Sequence, residues 1–246
     1  MDIKIYDKLA KKYDLATKIV SFGIEEVWRK IFIKNIKKHI KNGSLIDLAS
    51  ATGEMARGLN FDKAYLIEPS RAMNLIATEK LKKKSEKCEI EELSSSKFQV
   101  SSWKIKCGKK EIIIIQDTAE NFNIDEKADL ITAFMAFRNF DDIKKASRNI
   151  DKHLKNGGYL AVVEMVKSDS FLAKLILWYM NNIVPLIAGV LVGMKQEYKL
   201  LGKSIDSLSQ EDIIKNFKDY EIITKKKLLF PIASMVIMRK NDTKDS

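Results

Sequence analysis

The sequence predicts an α/β fold: one mostly parallel sheet with an antiparallel edge, covered by helices. Three features carry this reading. Short, wholly apolar segments recur along the chain, each bounded by turn formers. Helix-period segments separate them. Two further strand-like segments lie close together near the end. A β-α-β-α rhythm with strands apolar on both faces indicates a parallel sheet buried on both sides.

The elements follow in order. Residues 1–43 read as helical: Ile24, Val27, Trp28, Ile31, Phe32, Ile36 and Ile40 recur at helix spacing, and Asn42-Gly43 is a stop signal. SLIDLAS (44–50) reads as the first buried strand, and Thr52-Gly53 opens a short helix over 54–59. Strand 64–67, helix 70–84, strand 111–115, strand 129–134, helix 141–154 and strand 159–165 continue the alternation. Segments 221–227 and 233–239 supply the antiparallel edge. Residues 85–109 are polar, Ser-rich and aperiodic: either a partly disordered insertion or a small surface hairpin. Residues 171–194 are strongly apolar. We expect a single domain over 1–240 and a disordered tail at 241–246.

With 246 residues, 46% of them hydrophobic, the chain can bury a real core. The net charge of +11 favours anionic partners such as phospholipid headgroups or nucleic acid; the alternative is a Lys-rich solvated face. Cys88 and Cys107 form no C-x-x-C pair and have no nearby His, so reduced thiols are expected and neither a metal site nor a disulfide. The charged N-terminus is not a signal peptide, and a cytoplasmic protein is expected.

Ligands of open parallel sheets bind beyond the carboxyl ends of the strands. The turn after the first strand reads Asp47-Leu48-Ala49-Ser50-Ala51-Thr52-Gly53-Glu54. Its small residues at 49, 51 and 53 let the backbone approach a ligand. Glu68 ends the second strand, about 20 residues on, the spacing at which an acid meets ribose hydroxyls. Gln116-Asp117-Thr118-Ala119 follows the third strand, where a polar side chain reaches an adenine amino group and Ala119 leaves room for the ring. No phosphate cradle is present, and Glu54 at the helix start repels a pyrophosphate. A positively charged sulfonium tolerates that acid, which favours S-adenosylmethionine (SAM) over a dinucleotide.

Several pieces together resemble the ubiquinone/menaquinone-biosynthesis C-methyltransferases. They are Tyr13-Asp14-Leu15 with Ser21-Phe22-Gly23 and Trp28-Arg29, the turn at 47–54, and Phe137-Arg138-Asn139-Phe140-Asp141-Asp142. Leu154-Lys155-Asn156-Gly157-Gly158 with Val163-Glu164, Pro185 to Gly189, and Glu197-Tyr198-Lys199-Leu200-Leu201 with Ser204-Ile205 complete the set. The resemblance runs from about Tyr6 to Arg239, except the 85–109 insertion. It implies a Rossmann-like class I methyltransferase with a seven-stranded sheet, N-terminal helices and a helical lid over 168–210. By the same resemblance SAM is held by Asp47, Ala49, Thr52, Gly53, Glu68, Asp117, Thr118, Ala119 and Phe134. The match is off by one at Asp117, so Asp117 or Thr118 faces the adenine. Arg138 and Asn139 are the catalytic candidates, Trp178 and Tyr198 the substrate contacts, and no metal is implied. The family usually carries glycine at 51 and often at 136, where this chain has alanine; an Asn near Thr17 and a His near Glu25 are also missing.

The implied reaction is C-methylation of a demethylated isoprenoid quinol, whose ring attacks the SAM methyl once it is phenolate-like. Arg138 stays charged and suits phenolate stabilisation better than proton abstraction. His39 and His153 read as solvated, and Glu164 as a loop anchor. Lys174, Asn181, Asn182 and Pro185 interrupt the 171–194 run, so two lid helices broken near Pro185 are expected rather than a membrane span. Their apolar side would hold a prenyl tail or touch a bilayer; a homodimer interface or core packing alone is the alternative. Other readings are a different lipid acceptor, a SAM-fold assembly protein without catalysis, and an RNA methyltransferase. The last lacks an appended RNA-binding domain, so no nucleic-acid partner is expected.

Overall fold

The computed structural model describes residues 7, 10, 13–59, 61–82, 88–93, 101–193, 195, 199, 208–228 and 232–242. Helices α1 (Tyr13–Val20) and α2 (Ile24–Ile36) precede the sheet. Phe22 and Gly23 separate them, both in left-handed backbone (φ 48° and 74°). Trp28, Phe32 and Ile36, spaced by four, are the buried stripe of α2. Val27, expected on that stripe, is 44% exposed, being one residue round from Trp28. The helix ends at Ile36, short of the expected stop at Asn42-Gly43.

The sheet comprises β1 (Ser44–Leu48), β2 (Lys63–Ile67), β3 (Cys88–Leu93), β4 (Ser102–Cys107), β5 (Lys110–Ile115), β6 (Ala128–Phe134), β7 (Leu154–Met165), β8 (Tyr220–Lys227) and β9 (Ala233–Lys240). Between them run α3 (Glu54–Leu59), α4 (Arg71–Lys82), α5 (Ile143–His153), α6 (Phe171–Asn182), α7 (Val184–Val192) and α8 (Gln210–Ile214). The strand order is β3-β4-β5-β2-β1-β6-β7-β9-β8. β5, β2, β1, β6 and β7 pair in parallel, and β9 runs antiparallel to β7. The order reverses at β1, with β2 on one side and β6 on the other, which opens a crevice at its carboxyl end.

Among the described residues the sheet has nine strands where seven were expected. The extra pair comes from the insertion: β3 and β4 form an antiparallel hairpin that extends the sheet past β5. Cys88 and Cys107 face each other across it and form a disulfide, contrary to the expectation of reduced thiols. Closing a loop of 19 residues in sequence stabilises the fold by up to about 3 kcal/mol over the reduced chain.

Two apolar layers cover the faces. One joins α2, α3 and α4 to the sheet through residues such as Phe32, Leu59, Leu66 and Ala77. The other joins α5 and α8 through Ile150, Ile213, Phe137 and Phe217. His153 belongs to this second layer and is 2% exposed, not solvated. Its ring contacts Phe122, and its nitrogens meet the Asn149 carbonyl and the Ile124 amide.

Candidate active site

The site grows from the turn after β1. Asp47 is buried, and its Oδ1 accepts a hydrogen bond from the Thr132 hydroxyl of β6 at 2.7 Å. Its Oδ2 has no hydrogen-bond partner among the described residues. The chain must then leave the strand and start α3 within a few residues. It does so through left-handed backbone at Ala49 (φ 49°), Ala51 (φ 46°) and Gly53 (φ 77°). This geometry aims the Ala51 amide at Glu68, whose Oε2 accepts it at 3.0 Å. The other Glu68 oxygen accepts the Ser70 amide at 2.9 Å, so one buried carboxylate ties together the turns after β1 and β2.

A cleft of about 590 Å³ opens above this turn. Its floor is the carboxyl end of β1 with Glu68, Phe134 and Met135. Helices α1 and α2 form one wall, with Tyr13, Asp14, Glu25, Trp28 and Arg29. The turn Phe137–Asn139 after β6 presents Arg138 and Asn139, and α6 roofs the space with Leu175, Ile176, Trp178 and Tyr179. Arg138 pairs with Glu164, which is wholly buried on β7. Glu164 also accepts the Arg138 and Met165 amides at 3.2 and 2.8 Å, so it orients the arginine. Across the cleft Arg29 pairs with Glu25 and sits 5.2 Å over the Phe134 ring.

The lining is acidic at one end and apolar at the other. Asp14, Glu25, Asp47, Glu54 and Glu68 face two guanidiniums, those of Arg29 and Arg138. Burial pushes the Asp47 carboxyl up to about 7, against the Thr132 hydrogen bond. Burial likewise pushes Glu68 up to about 7, against the two amides it accepts. Two buried carboxylates this reluctant to ionise suit a cationic guest, which restores the ionised form. Lys80 reaches the rim from α4, where it pairs with Asp14 and Glu54 and donates to the Thr52 hydroxyl. Thr52 in turn donates to Asp14 at 2.9 Å, which pins α1 over the turn.

Of the residues expected from sequence, Asp47, Ala49, Thr52, Glu68, Phe134, Arg138, Asn139 and Trp178 all line this one cleft. Gly53 does not: a Cβ there would lie 3.3 Å from Leu66 and 3.4 Å from Ala77, so it serves helix–strand packing. Asp117, Thr118 and Ala119 are not among the lining residues either. They follow β5, one strand beyond Glu68; the Asp117 carboxylate accepts the Thr118 amide, and Ala119 is buried in the second layer. Tyr198, Ser204 and Ile205 lie outside the described residues. Sequence reasoning assigned no role to Asp14, Glu25, Arg29 or Lys80. The Glu25–Arg29 spacing of four on a helix was the available signal.

A sequence model of the ubiE/COQ5 methyltransferase family matches residues 3–223. The chain is 27% identical to a demethylmenaquinone methyltransferase of Thermotoga maritima, over 96% of this chain and 94% of that protein. It is 28% identical to a ubiquinone/menaquinone biosynthesis C-methyltransferase UbiE of Campylobacter jejuni, over 97% of each. Its fold is similar to that of an S-adenosylmethionine-dependent methyltransferase from Clostridium acetobutylicum, with TM-score 0.61 at 13% identity over 94% and 98% of the two chains. It is also similar to a putative methyltransferase of the same class from Methanococcus maripaludis, with TM-score 0.59 at 20% identity over 98% and 95%.

Two expectations follow from the turn. Left-handed backbone costs an alanine about 1–2 kcal/mol, partly offset by the freer unfolded state of glycine. Ala51→Gly is therefore expected to raise stability by about 0.5–1 kcal/mol, read from urea unfolding; a loss of stability would show that Ala51 is unstrained. The second concerns pH. The Asp47 and Glu68 pKa values lie above their ordinary 3.8 and 4.5, so the folded state holds protons the unfolded state releases. Their contribution to ligand-free stability is full below about pH 4 and is lost as pH rises through about 7. A cation bound beside them reverses the preference. SAM affinity, measured by calorimetry, should strengthen as pH rises from 6 to 8, and Asp47→Asn should flatten that slope.

Proposed function

We propose, from the premise that this chain belongs to the ubiE/COQ5 methyltransferase family and has the fold of SAM-dependent methyltransferases, that it C-methylates a demethylated isoprenoid quinol using SAM. The observation that carries this reading is the two-part cleft: carboxylates at the β1–β2 end, and an apolar chamber with a fixed arginine under α6. The curated relatives named above are demethylmenaquinone and ubiquinone/menaquinone methyltransferases, which supports a quinol acceptor.

The acidic end suits SAM. Asp47 Oδ2 is a buried acceptor with no partner among the described residues, which leaves it available to a cationic donor. Each Glu68 oxygen accepts one amide and keeps a lone pair for ribose hydroxyls. Left-handed Ala49 and Ala51 keep the turn low beneath the guest. Asp117 and Thr118, after β5 on the far side of β2, would serve the adenine. When bound, SAM supplies an electrophilic methyl group carried on sulfur.

The protein holds the acceptor ring in line and steadies its charge. Trp178 and Leu175 give the ring an apolar slot, Phe134 lines the adjoining floor on the cofactor side, and Tyr198 is kept as a substrate contact from the family resemblance. Arg138 presents a permanent positive charge for the ring oxygen, held in place by Glu164. Asn139, one residue on, offers an amide for the second ring oxygen.

The roof also suits a lipid-soluble substrate. Phe171–Val190 is long and apolar enough to cross a membrane by length and composition, with 22% of it buried. Yet α6 and α7 break at Ile183, and Val184 and Ala188 pack on Ala16 and Val20 of α1. That docking favours helices lying on a bilayer over a span. Phe171 and Val190 are 84% and 88% exposed, and Trp178, Leu175 and Phe22 are both exposed and cleft-lining. A bilayer contact would thus lead straight into the cleft, aided by exposed Lys18, Lys167 and Lys174.

Labelled SAM and a demethylated naphthoquinol with a short prenyl tail should give a ring-methylated product; label only in other acceptors would sink the quinol reading. Arg138→Ala should cut kcat by about 100-fold or more while SAM still binds. Because that variant strands buried Glu164, at about 3–5 kcal/mol, the companion Arg138→Ala with Glu164→Gln separates folding loss from lost turnover. Full activity in the pair would remove Arg138 from the mechanism. The enzyme should co-sediment with anionic vesicles, and Phe171→Asp with Val190→Asp should abolish that while SAM binding stays intact. Unchanged sedimentation would remove the bilayer contact.

A further inference from the structure

We propose that Glu25 is the catalytic residue that takes the phenolic proton of the acceptor ring, a role that rests on the quinol reading above. Glu25 stands in the first turn of α2, and its side chain enters the cleft from the wall facing Arg138. It is 18% exposed. One oxygen, Oε1, is held by the Arg29 guanidinium. The other, Oε2, has no hydrogen-bond partner among the described residues. Arg29 is itself fixed over the Phe134 ring at the end of β6, which holds the Glu25 carboxylate at the cleft wall.

The other carboxylates of the cleft are committed elsewhere. Glu54 pairs with Arg57 and Lys80, and Asp14 with Lys80 and Thr52. Asp47 and Glu68 belong to the cofactor end. Glu164 is wholly buried and already accepts from the Arg138 side chain and two amides, so a proton there would break the arrangement that holds Arg138. Neither histidine lines the cleft. Among the described residues of the cleft, Glu25 is the acid that is largely buried, lies near Arg138 and is bound through one oxygen alone.

Burial raises the basicity of Glu25. Arg29 of its own helix and Arg138 of the turn after β6 oppose this, and Asp14 of α1 adds to it. In the proton transfer, the O–H bond of the ring hydroxyl breaks and an O–H bond forms at Glu25 Oε2. The electron pair stays on the ring oxygen beside Arg138. After methylation the ring carbon loses its own proton to water, the electrons return to the oxygen, and Glu25 gives its proton back. One proton is released per turnover.

The test is the pH profile of kcat/KM on the prenylated naphthoquinol for the wild type, Glu25→Gln and Glu25→Asp. A base becomes dispensable as the phenol ionises in bulk, near pH 10. Glu25→Gln should lose about 100-fold or more at pH 7 and approach the wild type as pH rises. Glu25→Asp should recover part of the neutral-pH rate with an intact wild-type-like profile shape. SAM affinity by calorimetry should change less than threefold in both. A Glu25→Gln rate near wild type at pH 7, or a deficit constant across pH, overturns the assignment. If Glu25→Gln does not fold, a full rate in Glu25→Ala with unchanged pH dependence does the same. A wild type that methylates no quinol would instead sink the quinol reading itself, and this role with it.

Discussion

The buried Glu68 carboxylate holds the functional end of the sheet together. It accepts one amide from the turn after β1 and one from the turn after β2. A carboxylate removed from water costs several kcal/mol unless donors replace its hydration. Here the donors are backbone amides, and one of them belongs to the left-handed Ala51. The sequence choice of a long acidic side chain at the end of β2 therefore sets the shape of a turn 17 residues earlier. The N-terminal helices depend on that turn in their own way. Asp14 reaches Thr52 and Lys80, and Asp7 accepts from the Ser70 hydroxyl beside Glu68. The wall of the cleft is thus fastened to its floor by side chains that meet at the carboxyl ends of two strands.

The same economy divides the cleft into two chemical environments. At the β1–β2 end, carboxylates outnumber cations, and two of them resist ionisation until a positive charge arrives. At the β6–β7 end, Arg138 is matched by Glu164 and the surrounding surface is apolar. A sulfonium and an uncharged ring would each find the half that favours it. Low dielectric between the two makes the fixed charge of Arg138 worth more than it would be at an exposed site.

How much of this the sequence showed depends on how each residue is buried. Strands covered on both faces write continuous apolar runs, and 44–48, 111–115 and 129–134 were readable for that reason. The β3–β4 hairpin was not. β3 is largely exposed, so it carries charge instead of apolar alternation. Its signal was a mirrored one: Glu89 opposite Lys106 and Glu91 opposite Lys104, which places Cys88 opposite Cys107. Such pairing becomes visible only once the register is known. A glycine that packs a helix and one that admits a ligand look alike in a turn, as at Gly53 beside Leu66 and Ala77. Sequence brought Asp47, Glu68 and Arg138 to one cleft because strand ends converge at a fixed edge of the sheet. It failed at His153 because helix spacing alone did not reveal that this side chain turns inward onto Phe122.

The roof raises the question of why so apolar a segment remains on the surface. A 20-residue apolar run could satisfy its backbone within a bilayer as one helix. Pro185 near the start of α7 removes an amide and favours a fresh helix start, so the run bends at Ile183. After the bend, small Ala188 and compact Val184 fit against Ala16 and Val20. That packing uses one narrow stripe and leaves Phe171, Leu172, Trp178, Leu186 and Val190 outward. Leaving large apolar side chains in water forgoes about 1.5–3 kcal/mol each. A fold under no other demand would turn them inward or replace them. Trp178 is both outward-facing and part of the cleft lining, so the exposed apolar surface of α6 runs on into the cleft that holds Arg138.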